Sequence, residues 1–254
     1  MKILVTGGAG YIGSHLVDRL LSRDQEVFVI DDLSTGKITN IQPHLDCGNF
    51  HFLHDTILNA SLLDHLVSQV DLVYHLAALV GVKYVVGDPL AAIKTNVTGT
   101  EVVLDAAFTR WKKVVMASTS EIYGKSDKIP FHEEDDRVLG PTNVGRWSYS
   151  TSKAIDEHFT FAYAAKGLPI AIVRYFNSYG PRLDEKGYGS VVANFVRQAL
   201  RDEPITVHGD GRQSRCFTYV DDTVEGTILA GEVKAGEGLV FNIGDDSEIG
   251  RAHV

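Results

Sequence analysis

The sequence predicts an α/β fold, a doubly wound parallel sheet followed by a smaller C-terminal lobe. Three observations carry that reading. Short apolar runs of strand length alternate with longer segments of helical spacing through most of the 254 residues. The first run breaks into Gly7-Gly8-Ala9-Gly10-Tyr11-Ile12-Gly13, and a helix-spaced segment follows at once. Polar residues gather where the apolar runs end, at the carboxyl edge where such a sheet collects ligand chemistry.

The opening unit is the most informative. Lys2 to Thr6 reads as a buried strand, and Ser14 to Arg23 as a helix with Leu16, Val17, Leu20 and Leu21 on one face. A second strand, Val27 to Ile30, ends at Asp31-Asp32. Gly8 and Gly10 are expected to let the backbone turn close to a pyrophosphate, and Gly13 to bring helix and strand together. The helix N-terminus offers that anion free N–H groups and a partial positive charge. Asp31 stands at the offset of an acid that binds the adenosine ribose, and its carboxylate would repel a 2′-phosphate. The unit is therefore Rossmann-like, and the expected cofactor is NAD rather than NADP. An isolated glycine pattern is an ordinary βα turn; the flanking strand, helix and acid make this one a dinucleotide site.

Phe50 to His54 reads as the next strand and ends at Asp55, Leu62 to Val67 as a helix, and Asp71 to Leu76 as a strand before Ala77-Ala78, whose small side chains leave room for a cofactor. Pro89 opens a helix running to about Thr109, with Asn96 inside it. Lys113 to Ala117 is a strand that delivers Ser118-Thr119-Ser120-Glu121 to the sheet's carboxyl edge. Residues 124–147 read as a polar loop, and its acidic run, Glu133 to Asp136, as solvated surface. A helix over Ser148 to Lys166 and a strand over Ile170 to Arg174 complete a dinucleotide-binding domain of residues 1–176. The lobe of residues 177–254 is expected to hold a helix over Val191 to Arg201 and strands over Ile205 to His208 and Cys216 to Val220. Its last predicted helix starts at Asp221, capped by Asp221 or Asp222.

Hydrophobic residues at 44% and charged residues at 22% are ordinary globular values, so disorder is not expected. The net charge of −9 argues against nucleic acid as a partner, while local arginines still allow an anionic nucleotide. Cys47 and Cys216 are too few and too far apart for a disulfide framework and are expected to be buried thiols. His44, His51 and His54 match no ligand spacing, so no metal is expected. No apolar run reaches membrane-spanning length and Met1 leads straight into the first strand, giving the expectation of a soluble, cytoplasmic protein without a membrane partner.

Tyr149 and Lys153 are one helical turn apart and share a face. An ammonium beside a phenol favours the phenolate, so Tyr149 is expected to have a lowered pKa and to act as a base, with Thr119 bonding the same substrate hydroxyl. By itself this spacing is usually a surface accident. After a dinucleotide fingerprint and a strand-end Ser-Thr-Ser-Glu it reads as an active site.

These features together resemble the extended short-chain dehydrogenase/reductases that modify nucleotide sugars. The resemblance rests on Thr6 to Gly13, Asp31-Asp32, His75 to Ala78, Ser118 to Gly124, Tyr149 with Lys153, Arg174 to Asn177, Gly180-Pro181-Arg182, Gly209 to Arg212 with Arg215, and Phe241 to Gly244. It implies that Tyr149, with Lys153 and Thr119, removes the sugar's 4-hydroxyl proton during oxidation by NAD. It places the cofactor on Gly7, Gly10, Tyr11, Ile12, Gly13, Asp31, Asp32, Asp55, Ala77, Asn96, Tyr149 and Lys153. The nucleotide diphosphate falls to Asn177 and Arg215, with Arg182 and Arg212 as further candidates, an assignment that suits the guanidinium fork.

The residues after Thr119 separate outcomes within that family. 4,6-Dehydratases carry Asp-Glu there; Ser120-Glu121 lacks the Asp, and Thr-Ser-Glu is similar to UDP-glucuronate decarboxylases. A 4-ketone would make the C6 carboxylate a β-keto acid, with Glu121 and Arg215 managing the carboxylate and the enolate. The expected activity is UDP-glucuronate decarboxylation; a 4-epimerase or 4,6-dehydratase is the alternative outcome, and a non-catalytic dinucleotide-binding regulator the alternative class. The resemblance further implies a homodimer through the helices near 89–109 and 148–166. It also implies a natural protein longer than Val254, in which residues 248–254, a possible translation of a sequencing adapter, are an artefact.

Overall fold

The structure, a computed structural model, describes residues 1–183, 191–207, 209–211, 213–245 and 248–249. In chain order, β1 (Lys2–Thr6), α1 (Tyr11–Leu21), β2 (Glu26–Asp31), α2 (Ile38–Ile41), β3 (Phe50–His54), α3 (Ala60–Gln69) and β4 (Leu72–His75) build the first half of the sheet. After α4 (Val82–Gly87), a continuous helical segment runs through α5 (Pro89–Ile93), a π-turn at Lys94–Thr98 and α6 (Gly99–Arg110) into β5 (Lys113–Thr119). Then follow α7 (Trp147–Ala165), β6 (Ile170–Tyr175), β7 (Ser178–Tyr179), α8 (Val191–Leu200), β8 (Arg215–Cys216), β9 (Thr218–Tyr219), α9 (Val220–Glu232), β10 (Val240–Ile243) and β11 (Glu248–Ile249).

Seven strands form one sheet in the order β10-β6-β5-β4-β1-β2-β3, and every pairing is parallel. The expected doubly wound architecture is what the chain adopts. Strand direction reverses its lateral course at β1, which pairs with β2 on one side and β4 on the other, and the carboxyl ends there open a crevice. Alternation along the strands splits the core in two. Ile3 and Val5 pack with Leu16, Val17 and Leu20 of α1 and Val224 and Ile228 of α9. Leu4, one residue out of phase, joins Leu63 and Val67 of α3 and Leu104 of α6 on the other face. The sheet draws on both sides of residue 176, since β10 is an edge strand beside β6 and α9 covers it.

Several local expectations need correction. Residues 205–207 form no strand: Gln198 of α8 donates to Thr206 Oγ1 at 2.7 Å and accepts from the Thr206 amide at 3.1 Å, so a side chain takes the place of a strand partner. His208 lies outside the described residues. The predicted strand over Cys216 to Val220 is two short ones, β8 and β9, and α9 begins at Val220 after Tyr219 without a side-chain cap. Asp221 and Asp222 lie in its first turn, where they favour the helix dipole. Cys47 is exposed and Cys216 half-buried, not buried.

The acidic run is more than solvated surface. Glu133 accepts the Asn242 amide at 2.7 Å, and Asp135 accepts the His132 amide at 2.7 Å and pairs with Lys128. His44, His51 and His54 are dispersed onto Asp18, Glu26 and the Asp32 carbonyl, respectively, and among the described residues no group is arranged to hold a metal.

Candidate active site

A cleft of about 1190 Å³ runs along the carboxyl edge of the sheet and brings together most of the residues singled out from the sequence. Its floor is the glycine loop. Gly7 has φ +72°, and a Cβ there would lie 2.8 Å from the Ala77 backbone; a Cβ on Gly13 would lie 2.1 Å from the Gly7 carbonyl oxygen. Gly8 plays another part than expected: it faces Val29 and is not on the cleft, which Gly7, Gly10, Tyr11, Ile12 and Gly13 line. Gly10 precedes α1 with no side-chain cap and no acid follows in the first turn, so the N–H groups at this end remain available to an anion.

Asp31 is buried at the end of β2, where its carboxylate accepts the Ala9 amide at 2.9 Å and the Leu33 amide at 2.8 Å. Burial pushes its pKa up, and those two amides counter the effect. Asp32 and Asp55 also line the cleft; Asp32 accepts the Ser34 amide and Asp55 holds Thr56 and Asn59. Ala77 lines the cleft beside the glycine loop, its backbone against Gly7. A cradle closed to any Cβ, an uncapped helix end and a buried acid beyond it fit the pyrophosphate and ribose of NAD.

Asn96 is buried off the cleft. Its Oδ1 accepts the Leu79 amide at 2.7 Å, while Nδ2 donates to the Leu79 carbonyl at 3.3 Å and to Ser152 Oγ at 3.2 Å. It therefore ties the loop after β4 to α7 rather than lining the cofactor's space. The π-turn holds it there, a turn that spacing alone read as plain helix.

At the far end of the cleft stand Thr119, Glu121, Tyr149 and Lys153, whereas Ser120 is not on its wall. Thr119 accepts the Glu121 amide at 3.2 Å, and its hydroxyl faces the Tyr149 phenol and favours the phenolate. Ser150 donates to the Glu121 carbonyl at 2.7 Å, fastening the start of α7 to the end of β5. Burial pushes the Tyr149 phenol up, the carboxylates of Glu121 and Asp156 push it further, and Thr119 pulls it back. The lowered pKa expected from Lys153 is thus reversed in this state. The Lys153 ammonium is engaged instead by Asp156, at 2.7 Å. Glu121 itself is raised by desolvation at the wall and drawn back by Arg146.

Asn177, Arg182 and Arg215 line the outer part of the cleft, and Arg212 lies outside the described residues. Asn177 donates to the Cys216 carbonyl at 2.9 Å, Arg182 pairs with Asp18 at 2.8 Å, and Arg215 donates to the neighbouring Ser214 carbonyl at 2.6 Å.

Sequence reasoning missed three groups. Arg197 of α8 lines the cleft with a buried Nε that lacks a hydrogen-bond partner, but in the sequence it is one cation on an amphipathic helix. Asp156 and Glu157 are buried on α7; two acids on the inward face of a helix were the signal. Glu157 receives Arg174 at 2.9 and 2.7 Å and Ser118 at 2.6 Å. Arg174 also donates to Tyr123 Oη at 2.7 Å and the Glu133 carbonyl at 2.9 Å, bracing the strand ends behind the cleft.

The NAD dependent epimerase/dehydratase family model matches residues 3–244. A UDP-N-acetyl-alpha-D-glucosaminuronate decarboxylase of Bacillus cytotoxicus is 45% identical, over 97% of this chain and 76% of its own length. UDP-glucuronic acid decarboxylase 4 of Arabidopsis thaliana is 39% identical over 98% of this chain, which spans about half, 54%, of that relative. Among solved structures, a UDP-glucuronic acid 4-epimerase from Bacillus cereus, in complex with UDP-glucuronic acid and NAD, is similar with a TM-score of 0.86 and 35% identity, covering 98% of this chain and 79% of that one.

Proposed function

Because the chain belongs to the NAD dependent epimerase/dehydratase family, we propose that it decarboxylates a UDP-hexuronate, either UDP-glucuronate or its 2-acetamido counterpart, through a 4-keto sugar. The observation that carries the reading is Glu121, set two residues beyond Thr119 on the same wall as Tyr149. The decarboxylase activities for which the relatives from Bacillus cytotoxicus and Arabidopsis thaliana are named support it.

NAD, when bound, supplies the acceptor and later the donor of hydride at the sugar's C4. Tyr149 Oη takes the proton of the 4-hydroxyl, and Thr119, whose hydroxyl faces that phenol, aligns the same hydroxyl. For the phenol to serve as a base its raised pKa must fall once the site is filled, which calls for the Lys153 charge to act on it. The 4-ketone leaves the C6 carboxylate β to a carbonyl, so carbon dioxide departs with its bonding pair delocalised into the enolate. A proton returned to C5 then gives the 4-keto pentose, and Tyr149 gives its proton back to O4 as C4 is reduced again, which completes the UDP-pentose. Glu121, with its pKa already raised, is suited to hold and return that proton. Arg215, with Asn177 and Arg197, suits the diphosphate. Asp31 would exchange its backbone amides for ribose hydroxyls, or share them.

The test is incubation of the protein with UDP-glucuronate and UDP-N-acetylglucosaminuronate, products read by NMR. Release of carbon dioxide with a UDP-pentose or its 2-acetamido form is expected, and Tyr149→Phe should lose at least a thousandfold in turnover. A C4 epimer that retains its carboxylate would assign a 4-epimerase instead. We also propose a cytoplasmic homodimer packed through the 89–110 helical segment and α7, where Ile93, Ile155 and Phe161 are exposed. Light scattering at a mass twice 27.8 kDa is the expected result.

A further inference from the structure

Behind the active-site wall lies a chain of polar contacts, each from one buried side chain to the next. The Ala77 amide donates to Thr6 Oγ1 at 3.1 Å, so the Thr6 hydroxyl is free to donate to His75 Nδ1 at 2.8 Å. His75 is fully enclosed, and burial together with the Lys153 charge lowers its pKa to about 3, which makes it a neutral ring. On its other side His75 Nε2 bonds Thr100 Oγ1 at 3.0 Å, so both ring nitrogens have a hydroxyl partner. The Thr100 hydroxyl in turn faces the Asp156 carboxylate and favours its charged form. The row ends on Asp156.

Lys153 approaches that carboxylate from the other side at 2.7 Å, with side-chain exposures of 3% for the lysine and 0% for the acid. Neither Asp156 oxygen has an aligned hydrogen bond, so the contact with Thr100 is loose and the lysine's charge is the carboxylate's main support. The remaining neighbours add little to the pair. Met116 Sδ of β5 lies 3.8 Å from the ammonium, and Glu157 on the same helix repels the Asp156 charge. An ammonium enclosed like this without a counter-ion would shed its proton near neutrality.

We infer that Asp156 is a positioning residue for the reaction, which holds the Lys153 ammonium at the cleft wall that Tyr149 also lines and keeps it charged, with the Thr6–His75–Thr100 row fixing the carboxylate in turn. Asp156 is not on the cleft; it acts through the lysine it pairs with, and its charge also opposes ionisation of the Tyr149 phenol. The kinetic part of the inference rests on the catalytic reading of Tyr149 and Lys153, and the stability part does not.

Two measurements test it. Asp156→Asn keeps the shape and removes the charge. In that variant the high-pH limb of the turnover number should move down by at least one pH unit, because Lys153 now loses its proton more easily. Turnover at pH 8 should fall tenfold or more, while KM for the nucleotide sugar stays within twofold. Of the groups that face the pair, Glu157 on α7 and His75 on β4 are unchanged in the comparison, while the Tyr149 phenol loses the Asp156 repulsion, which moves the acidic limb down and leaves the direction expected of the high-pH limb as stated. The second measurement needs no substrate. Asp156→Asn should lower the melting temperature of the NAD-free protein, whereas the same change made in Lys153→Met should raise it, since it then removes an unpaired buried carboxylate. An unmoved pH limb, or an equal melting shift in both backgrounds, would overturn the inference. If the single variant fails to fold, Lys153→Met against Lys153→Met/Asp156→Asn still gives the sign that decides.

Discussion

Glu121 and Tyr149 set each other's chemistry, and one substitution separates their contributions. The Glu121 carboxylate is among the charges that hold the Tyr149 phenol protonated. In Glu121→Gln that repulsion is gone, so the acidic limb of kcat/KM, which reports formation of the phenolate, should move to lower pH even as the rate of decarboxylation falls. A pH–rate profile followed by carbon dioxide release checks both. Arg197→Ala should raise KM for the nucleotide sugar about tenfold, the cost of one charge-assisted hydrogen bond, and leave kcat nearly unchanged. Initial rates over a range of substrate concentrations measure the split. At this scale the sequence showed residues whose meaning lies in spacing: Asp31 after the glycines, Tyr149 a turn before Lys153. It did not show Arg197 or Asp156, whose meaning lies in what the fold packs against them.

Elements were legible where one period dominates. β1, α1 and β2 follow the expected strand, turn and helix because apolar alternation and helical spacing there are unmixed. Residues 205–207 carry a strand-like composition, yet Gln198 satisfies Thr206 and removes the need for a neighbour. Such a side chain–backbone exchange leaves no periodic trace. The junction of α1 with β1 is unforgiving. Gly13→Ala would drive a methyl to 2.1 Å from a backbone oxygen, and neither partner can rotate away. That variant should lose NAD on gel filtration and show a lower melting temperature. The brace between β6 and α7 is nearly as strict: removing one partner of a buried ion pair costs about 3–5 kcal/mol, and Glu157→Leu would strand Arg174, which is 6% exposed. Urea unfolding is expected to show a loss of that order.

Across the whole molecule, pH acts most clearly through His75. Its folded pKa, about 3, lies below the 6.5 of an unfolded histidine, so between those values the unfolded chain binds the extra proton. Stability from this residue is complete above pH 6.5 and declines as pH falls, by at most about 1.4 kcal/mol per pH unit. The raised carboxyls of Asp31 and Asp156 work in the opposite sense over the lower part of that range. A His75→Asn variant should therefore show a flatter acid limb in melting temperature between pH 6.5 and 5 than the parent. The architecture as a whole was legible because a parallel sheet with buried strands announces itself in apolar runs. The return of β10 to the edge beside β6 was not, since a four-residue strand carries no mark of its neighbour.

The wide turn at Lys94–Thr98 has one residue more than an α-helix would use to cover the same rise. Loss of a single codon within it would let the helix close normally over the same rise, leaving the turns on either side in register while the residues of the turn itself change face. Asn96 would then come away from Leu79 and Ser152, and the mouth of the crevice would be rebuilt without any change of composition. Chain length at this one place, rather than amino-acid identity, is thus a dial by which descent or design could reshape what enters.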